Sequence, residues 1–197
     1  MTVGVAMHTA SPFPSFMTTA LSFAQFPEEM ETLLWFAALW GGVWVLRPLA
    51  TFLHELGHAL PALVFTKGEV KVRVGDSFEK SLLRIGRLGC AFALRRSSIG
   101  FTSYDRASLG KGALAIVILG GPLASGLACG LGSWAILLVT EQTWTRIVTA
   151  AFLCANGILF LRSTIPVTLR PTEQFPEGPP SDGLDLWRTL RGKGKGN

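Results

Sequence analysis

From Thr32 to Phe65 the chain is apolar except at Arg47, His54, Glu55 and His58. Read as one helix, a run of that length spans about 50 Å, beyond the roughly 30 Å hydrocarbon core of a bilayer. A tilt, a kink or a break is therefore required. Pro48 and Pro61 supply the means, because each removes a backbone hydrogen bond and crowds the preceding turn. The expectation is one crossing kinked near Arg47-Pro48, with two shorter helices as the alternative. The pattern then changes. Glu69-Val70-Lys71-Val72-Arg73-Val74 alternates polar and apolar residues, the period of a half-buried strand. Leu82 to Leu94 is also strand-like, with Gly86 and Gly89 as bends or bulges. Two further apolar runs follow, at about 112–139 and 143–162. The pattern predicts an all-α polytopic membrane protein of about three transmembrane helices, with a small membrane-surface β-hairpin or sheet inserted at 66–111.

Composition agrees with that class. Hydrophobic residues make up 49% of the 197 positions and charged residues only 16%, against about 25% charged in soluble domains. Residues 32–190 form a single membrane domain on this reading. Residues 1–31 are read as a poorly ordered or interfacial leader, and 191–197 as a disordered basic tail. Cys90, Cys129 and Cys154 have no metal-binding or disulfide spacing and are read as packing residues.

Charge placement sets an expected orientation. Residues 66–111 hold ten Lys/Arg and the tail from Arg170 to Lys195 holds five, whereas residues 1–31 hold none. Short basic loops stay on the cytoplasmic side. The N-terminus is thus expected outside and the tail inside a bacterial cytoplasmic membrane. The basic residues flank apolar spans and lack interleaved aromatics, which argues against nucleic acid as a partner and for the lipid bilayer.

The chemistry is concentrated in His54-Glu55-Leu56-Gly57-His58. On a helix His54 and His58 lie one above the other, the spacing at which two imidazoles hold one zinc ion with the Glu placed as general base. An unpaired Glu55 at bilayer depth costs on the order of 3 kcal/mol, so the residue needs a reason to be there. His58 is roughly 10 Å inside the cytoplasmic boundary and Gly121, on the next span, roughly 15 Å. Zinc needs a third protein ligand. The candidates are Glu141, Glu173, Glu177, Asp182 and Asp185. Glu141 falls on the opposite side, and Asp182 is favoured by its small neighbours Ser181 and Gly183. A ligand and a mere cap of a short helix from Leu184 remain equally open at Ser181-Asp182, and Asp185 stays an alternative ligand. Gly120-Gly121-Pro122-Leu123 reads either as a close helix contact or as a helix opened by Pro122 near the metal.

These residues resemble the site-2-type intramembrane zinc metalloproteases. The likeness runs over about Leu33–Leu190 and rests on His54-Glu55-Leu56-Gly57-His58, Gly120-Gly121-Pro122-Leu123 and Ile165-Pro166…Ser181-Asp182-Gly183. It implies His54, His58 and Asp182 as zinc ligands, Glu55 as catalytic base, and membrane-protein substrates cut in or near their transmembrane segments. It also implies a substrate or oxyanion region at Gly121, Pro122, Ser125 and Asn156. Ser125 stands where the family commonly has Asn, Ser163-Thr164 replaces an Asn-containing run, and about fifteen residues separate Pro166 from Asp182. An unwound substrate segment is expected to pair with the 69–94 region. The rival readings are an inactive membrane scaffold of the same fold and a metal transporter.

Overall fold

The computed structural model describes residues 28–75, 83–93, 99–138, 143–171 and 176–192. What was expected of residues 1–27, 139–142 and 193–197, including Glu141, lies outside them. A first unit of the chain ends at Phe36 and a second begins at Ala37. In the first, Trp35 Nε1 donates to Glu31 Oε1 at 3.1 Å. All contacts below belong to the second.

Helix α1 (Glu28–Phe65) is one unbroken element of 38 residues with Pro48 and Pro61 inside it. It begins four residues before the expected start at Thr32. Glu29 and Glu31 near its start suit the positive end of a helix dipole, and the helix reaches into the supposed leader. Its far end is closed from outside the helix. The Arg87 guanidinium donates to the Leu63 carbonyl, a group that a helix C-terminus leaves without a partner, and to the carbonyls of Thr66 and Gly68 just beyond the helix.

The inserted segment is more than a hairpin. Strands β1 (Val70–Val74), β2 (Leu83–Ile85), β3 (Leu88–Phe92) and β4 (Gly100–Ser103) form one mixed sheet in the order β2-β3-β1-β4. β2 and β3 are the antiparallel hairpin, turning at Gly86 with φ +58°. β1 runs parallel to β3 and antiparallel to β4, which leaves β4 as an edge. Val70, Val72 and Cys90 share the buried face and pack on Ala59 and Ala62 of α1. Phe92 of the same face meets Phe52, ring centroids 4.8 Å apart. Lys71 and Arg73 alternate with the buried valines, as the period of two demands.

Helices α2 (Lys111–Leu138) and α3 (Thr143–Thr164) complete the bundle. α2 runs through Pro122 without a break, so the proline does not open the helix. Close packing is made by small residues. A Cβ on Gly57 would collide with the Gly120 carbonyl, and one on Gly120 with that of Gly57. A Cβ on Gly42 would stand 2.9 Å from Ala151 on α3. Large apolar side chains face outward along all three helices, among them Trp44, Val45, Leu127, Leu131, Trp134 and Leu161. The three helices are each long and apolar enough to cross a membrane. A short helix, α4 (Asp182–Leu190), packs on α2 and α3.

Candidate metal centre

One turn of α1 brings His54 and His58 to a common face, directed at α2. Each imidazole is fixed through its Nδ1. His54 Nδ1 lies 3.0 Å from Ser125 Oγ, and His58 Nδ1 lies 2.8 Å from the Val117 carbonyl. A carbonyl can only accept, so His58 carries its proton on Nδ1. The Gly121 amide also lies 3.3 Å from that nitrogen, but a protonated Nδ1 has no lone pair to offer, and the shorter bond to Val117 decides the tautomer. Both Nε2 atoms then face inward, 3.3 Å apart. Gly121 is what lets His58 sit against α2, because a Cβ there would overlap the imidazole.

Asp182 arrives from the other end of the chain. Its Oδ2 is 3.1 Å from His54 Nε2 and its Oδ1 3.5 Å from His58 Nε2. The separation of about fifteen residues from Pro166 is bridged by Ser181. Its hydroxyl donates to the Ile165 carbonyl at 2.6 Å and accepts from the Val167 amide at 3.1 Å and the Leu184 amide at 3.2 Å. The Ser181 amide donates to the Val167 carbonyl and the Leu169 amide to that of Pro179, so the intervening loop is closed at its base. Gly183 sits so close to the Thr164 carbonyl that a Cβ would collide with it. Ser181 is thus the helix cap, which leaves the Asp182 carboxylate for the histidines. Asp185, the alternative ligand, is held instead by Arg106 in two bonds of 2.7 Å. Burial pushes the Asp182 carboxyl up, but the two imidazoles beside it outweigh that and hold it down at about 2.

The donor set fits a metal. The two Nε2 atoms are 3.3 Å apart and each meets a different oxygen of Asp182, at 3.1 and 3.5 Å, so that one ligand atom from each residue lies within 4.8 Å of the others. Two imidazole nitrogens and a carboxylate so arranged are three acceptors converging on one point, which needs a shared cation. His54, His58 and Asp182 can hold a metal ion.

Glu55 lies on the neighbouring face of α1, toward the sheet. Thr102 Oγ1 on β4 donates to Glu55 Oε2 at 2.7 Å. Gly100, two residues earlier on the same strand, is close enough that a Cβ would overlap the carboxylate. All three residues of the histidine motif are buried. Of the residues expected to form a substrate or oxyanion region, two touch the site histidines. Gly121 makes room for His58 and Ser125 bonds His54. Pro122 is buried in α2. Asn156 is buried on α3, where its amide donates to the Phe152 carbonyl one turn back. Its Oδ1 has no hydrogen-bond partner among the described residues.

Thr102 and Arg106 were not singled out from the sequence and carry no local signal there. Ser181 was read beside Asp182 as a candidate cap, and it is the cap.

No family model, curated protein or solved structure matches this chain. The reading of the site therefore rests on its own residues.

Proposed function

We propose that this chain is an intramembrane zinc metalloendopeptidase of the site-2 type. One observation carries the reading: two imidazole Nε2 atoms and a carboxylate converge with ligand atoms within 4.8 Å of one another, with a buried glutamate on the next face of the same helix turn. His54, His58 and Asp182 would hold the ion. When bound, zinc supplies a Lewis-acid charge that polarises a carbonyl and lowers the pKa of water toward ~7.

The remaining work falls to the chain's own groups. Glu55 takes the proton of the attacking water and passes it to the leaving amine. Thr102 holds one carboxylate oxygen, which leaves the other for that transfer. The substrate is a membrane-protein segment unwound into an extended strand. It adds to the sheet that covers Glu55 by backbone hydrogen bonds. In the proposed orientation the basic sheet and α4 lie on the cytoplasmic side and α1 to α3 cross the bilayer. The outward rows of Leu and Trp support that placement, since lipid is the medium that such a surface suits.

The test is cleavage of a model transmembrane substrate together with zinc content, for wild type and Glu55→Gln. Losing a general base costs ~10²–10⁴-fold in rate, so the variant should keep its zinc and lose cleavage to that extent. Cleavage by the variant at the wild-type rate sinks the mechanism. Zinc binding without cleavage in the wild type favours a scaffold of the same fold.

A further inference from the structure

Arg106 stands in the short 3₁₀ turn Arg106–Ser108, three residues after β4 ends. Its two terminal nitrogens reach the two carboxylate oxygens of Asp185 at 2.7 Å each. The pair spans 79 residues of sequence. One end continues the strand that covers Glu55. The other lies one turn along α4 from Asp182. A fork-to-fork pair fixes direction as well as distance, because both donors and both acceptors are planar and must be coplanar to meet. The Asp185 side chain is 20% exposed and that of Arg106 42%, so one partner is largely withdrawn from water while the other bridges to the surface. The α4 helix has only nine residues. A helix that short does not hold itself in water and depends on what it is tied to. Ser181 ties its start to the residues just past α3, and Arg106 ties the end of its first turn to the segment that follows β4.

We propose that Arg106 is a positioning residue for the metal centre. Through Asp185 it orients α4 and so aims the Asp182 carboxylate at the two histidines. The inference rests on the metal reading of Proposed function. It adds that the strand over Glu55 and the helix bearing Asp182 are registered to each other by this one fork. Charge alone would not suffice, because an ammonium is a point donor and cannot impose the plane.

The experiment uses the full chain in detergent or nanodiscs, as wild type, Arg106→Ala, Arg106→Lys, Asp185→Asn and the Arg106→Ala/Asp185→Asn double variant. Two quantities are read: amide hydrogen exchange over residues 184–190 of the metal-free protein, and zinc affinity by competition with a chelator. Arg106→Ala should speed exchange in α4 and weaken zinc about tenfold, the low end for groups that orient metal ligands. Arg106→Lys should recover less than half of either loss. The double variant should be no worse than Arg106→Ala, as the partners act as one unit. If Arg106→Ala does not fold, Asp185→Asn, which keeps the side-chain shape, carries the same two readouts. Unchanged α4 exchange overturns the proposal. So does faster exchange with wild-type zinc affinity, which makes the fork purely structural, and so does full rescue by lysine. A wild type that binds no zinc removes the metal reading itself, and the exchange data then show separately whether Arg106 holds α4.

Discussion

Ser125→Ala is the substitution whose effect the geometry predicts most closely. The hydroxyl is fully buried and lies 3.0 Å from His54 Nδ1. Its loss removes one atom, creates almost no cavity, and leaves the imidazole N–H without an acceptor in a place that water does not reach. An unsatisfied buried donor costs about 1–3 kcal/mol. The imidazole can escape that cost by moving its proton to Nε2 or by rotating, and either change withdraws the lone pair offered to the ion. At 1.4 kcal/mol per factor of ten, the expected loss of zinc affinity is about 5- to 150-fold, the range found when groups orienting a metal-bound histidine are removed. The assay is a chelator competition on purified protein. Ser133→Ala serves as the control, an exposed serine of the same helix whose hydroxyl donates to the Cys129 carbonyl at 3.0 Å. The control should bind zinc like wild type. If Ser125→Ala does so as well, to within about threefold, His54 is not oriented through Nδ1 and the tautomer argument is wrong.

Other outcomes follow from the same contacts. Gly121→Ala puts a methyl group into the His58 imidazole. Overpacking of that kind costs about 1–3 kcal/mol, and zinc affinity should fall with the thermal midpoint. Ser181→Ala removes a helix cap worth about 0.5–2 kcal/mol and also unties α4 from α3; zinc titration should register both losses, and unchanged affinity would mean that Asp182 is placed without it. Arg87→Ala should uncap α1 at a cost of about 1 kcal/mol in this exposed setting, a shift of about 2–4 °C in a chain of this size, with zinc binding unaltered. Chelation should destabilise the protein reversibly: at a hundredfold excess over the dissociation constant, returning zinc restores about 2.7 kcal/mol, which a thermal melt detects.

The three helices and the strand at Val70–Val74 were readable because their signals are local. An apolar run long enough to cross a bilayer and a two-residue alternation need no knowledge of partners. The histidine pair was readable for the same reason, since four residues on a helix make one face. What the sequence could not display is pairing at a distance. β4 is four residues, Gly-Phe-Thr-Ser, too short to carry a period, and it becomes a strand only because Val70–Val74 offers it an edge. Thr102 acquires its contact with Glu55 from that pairing. Arg106 looks like a surface charge and Asp185 like an alternative ligand until the fold brings the two together. At Ser181-Asp182 cap and ligand looked like exclusive choices, and the structure divides the two roles between adjacent residues. At Gly120-Gly121-Pro122 a close helix contact and an opened helix were both readable, and the structure takes the first: α2 absorbs the proline and uses the glycines for close approach to α1.

The loop between Val167 and Ser181 closes on itself at the bridge of Thr168 with Pro180. Beneath that bridge Ser181 joins Ile165, just past α3, to the start of α4, so the path that carries Asp182 to the histidines runs through the base of the loop. The length of the loop is therefore free to drift. Insertions, deletions or a grafted tag at the crown should leave the centre intact. Related chains with very different distances between this proline and this aspartate can share one geometry, and a search keyed to that spacing would pass them by.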